Sequence, residues 1–103
     1  MPRKSSKESG KISIKVKGPI SLAIGEELTI EINEKKTIRE IWEYLKEKYK
    51  DKAIEHGIYP ALEDLPSQNL ILVNDIEISA LNELETHVKP GDKITIINYT
   101  HGG

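Results

Sequence analysis

The sequence predicts an α+β domain in which about five strands pack on one main helix. Three observations carry this. Residues 11–18 (KISIKVKG) and 28–33 (LTIEIN) alternate apolar and polar side chains, as strands with one buried face do. Residues 37–52 (TIREIWEYLKEKYKDK) switch to a helical period. Beyond residue 68, the apolar runs NLILVND and KITIINYT bracket a stretch of short turns. Strands covered by a single amphipathic helix bury both apolar surfaces as a pair of layers.

In the first run Ile12, Ile14 and Val16 point one way, and Lys11, Ser13, Lys15 and Lys17 the other. GPIS and IGEE carry turn signals, and the second run sets Leu28, Ile30 and Ile32 on one face. The two runs are expected to form a hairpin with an irregular connection around residues 18–25. A helix is expected over about residues 38–50. There Ile38, Ile41, Trp42, Leu45 and Tyr49 share one face, and Thr37 with Glu40 forms a capping box that satisfies two orphan amides.

In residues 51–68, Gly57, Pro60 and Pro66 forbid one long helix, and the segment reads as a structured loop with room for a short helical turn. NLILVND is too apolar for a solvent-facing edge and reads as a central strand ending in an Asn-Asp turn. IEIS then completes a hairpin, ALNEL forms a single helical turn and KPGD a turn. The final strand directs Ile94 and Ile96 inward, with Thr95 and Ile97 outward. Staying in step with its turn, the preceding strand buries Ile71 and Val73 and leaves Leu72 outside.

Residues 1–10 are basic without an apolar run and read as a disordered tail, neither a signal peptide nor a membrane span. Residues 11–99 make the domain, and residues 100–103 an extended tail. At 103 residues there is room for one core. A net charge of −2 argues against a general binder of nucleic acid or membrane surfaces. With no Cys there is no disulfide, thiolate nucleophile or cysteine metal site, and without a secretory signal the cytoplasm is the expected location. His56, His87 and His101 share no ligand spacing, so no metal site is expected. Phosphate-cradling loops, a dinucleotide fingerprint and a nucleophile elbow are all missing. The chain is not expected to be an enzyme acting alone.

What remains is the end, INYTHGG. Two glycines are costly to order and add nothing to a finished strand, though chain ends also fray incidentally. A terminal carboxylate is ionised at neutral pH. It can attack phosphorus when metal and positioning help. Gly102 and Gly103 would make a thread thin enough for a narrow active site, and no Cβ shields the carbonyl.

Strand-strand-helix-strand-strand-strand followed by Gly-Gly resembles the β-grasp fold of ubiquitin-like proteins, whose sheet is mixed. ILVNDIEI followed by VKPGDKITIINYTHGG resembles the sulfur-carrier family more closely than ubiquitin. That family includes the small subunit of molybdopterin synthase, the thiamine sulfur carrier, the ubiquitin-related modifier and the archaeal small modifiers. The specific residues are Val73, Asn74 and Asp75, then Pro90, Gly91 and Asp92, then His101, Gly102 and Gly103. Asp75 stands where many carriers have Gly.

The resemblance implies a substrate rather than a catalyst. An ubiquitin-activating-enzyme-like adenylyltransferase would use ATP and magnesium, the carrier itself holding no cofactor. The Gly103 carboxylate would become an acyl-adenylate, and a sulfur donor would convert it to a thiocarboxylate. The sulfur would pass to a tRNA wobble uridine through a tRNA thiolase, the destination that HGG favours, without direct nucleic-acid contact by the carrier. It could instead serve molybdopterin, with the chain docked on the synthase large subunit. A third fate is an isopeptide bond to a lysine of a target protein. A β-grasp interaction domain with an incidental Gly-Gly is the remaining alternative. Leu72 and Ile97, expected as neighbours on the open sheet face, together with Tyr99 and His101 near the reactive end, are the expected partner-binding residues.

Overall fold

The structure, a computed structural model, describes residues 10–98. The chain runs β1 (Gly10–Lys17), α1 (Ser21–Ile24), β2 (Glu27–Ile32), β3 (Lys36–Thr37), α2 (Ile38–Glu55), α3 (Tyr59–Glu63), α4 (Leu65–Gln68), β4 (Asn69–Val73), β5 (Ile76–Glu77), β6 (His87–Val88) and β7 (Lys93–Asn98). Five strands form one sheet in the order β2-β1-β7-β4-β5, and β3 pairs separately with β6. β7 runs parallel to β1 while the other neighbours are antiparallel, so the sheet is mixed.

One-sided burial explains the alternation read from the sequence. Ile12, Ile14 and Val16 of β1, Ile94 and Ile96 of β7, and Ile71 and Val73 of β4 all lie in the core. α2 covers that face with Ile38, Ile41, Leu45 and Ala53 buried, and Leu45 is 0% exposed. Burying a side chain of that size contributes about 1.5–3 kcal/mol. The helix starts where the capping box predicts. The Thr37 amide donates to Glu40 Oε1 at 2.8 Å, and the Glu40 amide donates to Thr37 Oγ1 at 3.1 Å. The hydrogen bond from the Thr37 amide holds the Glu40 carboxyl below its ordinary range.

Several expectations need correction. β1 begins at Gly10, a residue assigned to the tail, and this position needs glycine: a Cβ would lie 2.8 Å from Pro90 Cβ. α2 continues to Glu55 rather than stopping near residue 50, because Ala53 buries one more turn before Gly57 takes a left-handed φ of 71°. Residues 51–68 are therefore mostly helical. Pro60 and Pro66 each sit in the first turn of a short helix, where the missing N–H costs nothing. β4 is interior but not the middle strand, a place taken by β7. IEIS contributes only two strand residues before a 3₁₀ turn at Ile78–Ala80, and a second such turn, Glu83–Glu85, replaces the single turn expected in ALNEL.

The helical segment after α2 is tied to it by Trp42, whose indole N–H donates to the Leu62 carbonyl at 2.9 Å. Leu62 and Leu65 are buried beneath, and Asn69 Nδ2 donates to the Leu65 carbonyl at 2.9 Å. Trp42→Phe keeps an aromatic ring but leaves that carbonyl without its donor. It should cost about 1–2 kcal/mol in denaturant unfolding and speed amide exchange in α3 more than in β1. Unchanged stability and exchange would show that the indole hydrogen bond does not anchor the segment.

Candidate docking face and reactive terminus

The residues that carried the family resemblance in β4–β5 and before β7 form a clasp between two turns. Asn74 and Asp75 both adopt left-handed backbone, φ 51° and 72°, as the two central positions of a type I′ hairpin turn require. The Asn74 amide donates to the Lys93 carbonyl at 2.8 Å, and the Lys93 amide donates to Asn74 Oδ1 at 3.0 Å. Asn74 Nδ2 donates to Asp92 Oδ1 at 3.0 Å. The other carboxylate oxygen, Oδ2, accepts from the Lys89 amide at 2.9 Å, and Lys89 Nζ approaches Oδ1 at 3.2 Å. Gly91, at φ 96°, makes the tight turn between Lys89 and Asp92 possible.

Asp92 is 8% exposed. Burial alone would raise its carboxyl pKa. The hydrogen bonds from Asn74 and from Lys89, with the Lys89 charge, outweigh burial and hold it below its ordinary value.

The clasp fixes how β7 lies on β4. Val73 faces Ile94, Ile71 faces Ile96, and Leu70 faces Ile97. The first two pairs enter the core. The alternate residues Leu70, Leu72, Thr95 and Ile97 lie on the sheet face away from α2, each half-buried. Leu72 and Ile97 are both on the open face, as expected, but they are not directly opposite. Leu72 faces Thr95, and the cross-strand neighbour of Ile97 is Leu70. Leu72 and Ile97 are thus diagonal, a separation of about 7–8 Å in an antiparallel pair.

Leu70 was missed, although the alternation that exposes Leu72 exposes Leu70 equally. The parallel partner β1 adds two exposed cations, with Lys15 beside Thr95 and Lys17 beside Ile97. The face is an aliphatic strip with a basic margin. Tyr99, His101, Gly102 and Gly103 lie outside the described residues. β7 ends at Asn98, next to this strip. Among the described residues no group of three or more His, Cys, Asp or Glu is placed to hold a metal ion, and no helix is long and apolar enough to cross a membrane.

The mixed sheet on one main helix is the β-grasp arrangement of ubiquitin-like proteins, and solved structures share it. Small archaeal modifier protein 1 from Methanosarcina acetivorans is 24% identical with a TM-score of 0.64, over 92% of this chain and 98% of that one. Urm1 from Trypanosoma brucei is 16% identical with a TM-score of 0.64, over 95% and 100%. A protein from Pyrococcus furiosus designated a candidate molybdopterin converting factor, subunit 1, is 20% identical with a TM-score of 0.65, over 89% and 100%. No curated protein sequence matches the chain. The fold shared with these structures defines a ubiquitin-like protein. Residues 14–103 match the ThiS family model, and the chain belongs to that family.

Replacing the Asp92 carboxylate with an amide of the same shape tests the clasp. Asp92→Asn sets a donor against donors and should cost about 1–3 kcal/mol at neutral pH. Because the folded-state pKa lies below the ordinary value of 3.8, the carboxylate's contribution is complete above that pH and fades as pH falls through the folded pKa. Melts at several pH values should therefore show the gap between wild type and variant closing below about pH 4. A gap that stays constant into acid would show that the ionised carboxylate does not hold the turns.

Proposed function

We propose that this protein is a sulfur carrier whose Gly103 carboxylate is activated by a separate adenylating enzyme and converted to a thiocarboxylate. The observation that carries this is a family match running through Gly103, on a sheet whose last strand ends at Asn98 beside an open aliphatic face.

In the proposed chemistry a carboxylate oxygen attacks the α-phosphorus of ATP, and magnesium pyrophosphate leaves. The terminal sulfur of a donor persulfide then attacks the acyl carbon and AMP departs. A second donor thiol cleaves the resulting acyl disulfide, freeing the thiocarboxylate and leaving a disulfide on the donor. This chain has no Cys, so neither the persulfide nor the thiol is its own. ATP and magnesium belong to the activating enzyme. Leu70, Leu72 and Ile97, with Lys15 and Lys17 at the margin, form the surface on which that enzyme docks. Tyr99 and His101, which precede the glycines in sequence, would contact the same enzyme.

The same activated end serves each destination in the cell interior. Transfer to a tRNA uridine is the one the HGG ending favours. Transfer to molybdopterin, with the chain as the synthase small subunit, and conjugation to a target lysine are the other two.

ATP–pyrophosphate exchange with the cognate activating enzyme tests the reading. Deleting Gly103 should abolish exchange without moving the melting temperature, and Gly102→Val should do nearly the same by widening the thread. Leu70→Arg, Leu72→Arg or Ile97→Arg should weaken docking by about 2 kcal/mol or more, with stability changed by less than about 1 kcal/mol. Normal exchange by the Gly103 deletion would overturn the proposal. Normal exchange by all the arginine variants would move the docking site elsewhere.

A further inference from the structure

The outer edge of β2 carries an inference independent of the terminal chemistry. β2 pairs with β1 on one side only, and among the described residues no strand covers its other side. The Val16 amide donates to the Glu26 carbonyl at 2.9 Å, which sets the phase of that ladder. With the continuous register from Gly10 opposite Ile32 to Lys15 opposite Glu27, the backbone groups of Leu28, Ile30 and Ile32 address β1. The N–H and C=O groups of Glu27, Thr29 and Glu31 therefore point outward.

Edge strands are ordinarily blunted by lysine, proline or a bulge. β2 has none of these in ELTIEI, its pairing with β1 is unbroken, and its only blunting charges are the acidic Glu27 and Glu31, which a basic strand would neutralise. The other sheet edge, β5, is only two residues long. Beside the β2 edge, on the helix side, runs a groove of about 370 Å³ lined by Ile30, Ile32, Ile41 and Tyr44, with Lys36 and Glu40. Tyr44 is 42% exposed there.

We propose that β2 accepts an extended peptide of alternating aliphatic and basic residues by strand addition. Its aliphatic side chains would enter the groove against Ile30 and Tyr44. Its lysines or arginines would face Glu31 and Glu27, both exposed on the opposite side of the strand, Glu27 also lying 3.6 Å from Lys15 Nζ of β1 in a solvent-exposed pair. Charge selects this occupant over a second copy. The in-phase antiparallel self-pairing with the longest overlap sets Thr29 against Thr29 and therefore Glu27 against Glu31 twice. Like charges directly opposite each other are destabilising.

The test uses the full chain and two labelled peptides, KVKIKVK and its charge-reversed counterpart EVEIEVE. Amide shifts on titration with the basic peptide should centre on Glu27, Thr29, Glu31 and Tyr44. The acidic peptide should bind roughly tenfold more weakly or worse. Thr29→Pro removes an outward N–H, which an edge strand tolerates. It should lower affinity by about tenfold, whereas Thr29→Val should preserve it. Should Thr29→Pro fail to fold, Glu27→Lys with Glu31→Lys should invert the preference between the two peptides. A Gly103 deletion should bind the basic peptide like the wild type, so this result stands apart from the activation assay. Absence of binding, equal binding of both peptides, shifts centred on Leu70 and Ile97, or concentration-dependent dimerisation through β2 would each overturn the proposal.

Discussion

The register of β7 is the constraint on which the rest of the structure depends. β7 comes last in the described chain yet occupies the middle of the sheet, parallel to β1 and antiparallel to β4. Because side chains alternate, a slip of one residue would expose Ile94 and Ile96 and drive Thr95 and Ile97 into the core. The Asp92–Asn74 clasp opposes that slip. It fastens the first residue of β7 to the end of β4 through both the amide and the carbonyl of Lys93. From that anchor the pairing propagates to Leu70 opposite Ile97.

The clasp changes what the family signature means. Asn74 and Asp92 are among the residues on which the sequence resemblance rested, yet in the structure they are folding residues, satisfied by one another and by Lys89 and Lys93. The proposed chemistry lies at the opposite end of the same strand. β7 thus begins at a hydrogen-bonded clasp and runs toward the end that the proposed function hands to another protein. A fold of this kind supplies position, and a site must supply reaction. In the proposed function the site is the chain end, and the open sheet face beside the end of β7 serves recognition.

Much of this was legible in the sequence because one-sided burial imposes its period directly. Ile12, Ile14 and Val16, the helical stripe from Ile38 to Leu45, and the capping box at Thr37 all sit where the pattern places them. What escaped reading lacked such a period. Lys50, Asp51 and Lys52 are exposed, so the last turn of α2 is marked only by Ala53, a small residue. Pro60 and Pro66 read as breakers when they act as helix starters. The two-residue ladder of β3 with β6 is too short to show alternation. Cross-strand register is also absent from a local pattern, which is why Leu70 was missed beside Ile97. Nor does alternation tell which strand lacks a neighbour, so the β2 edge emerged only from the sheet order. Tyr99, His101, Gly102 and Gly103, outside the described residues, are known through sequence alone.

The central claim is that this protein carries its chemistry on its own last residue. Intact mass, measured on protein purified from its native host without reductive or alkaline treatment, tests it most directly. The account predicts a fraction of molecules heavier by the difference between one sulfur and one oxygen, with the increment confined to the C-terminal peptide. Finding only the unmodified mass, even after co-expression with the activating enzyme and a sulfur donor, would contradict it.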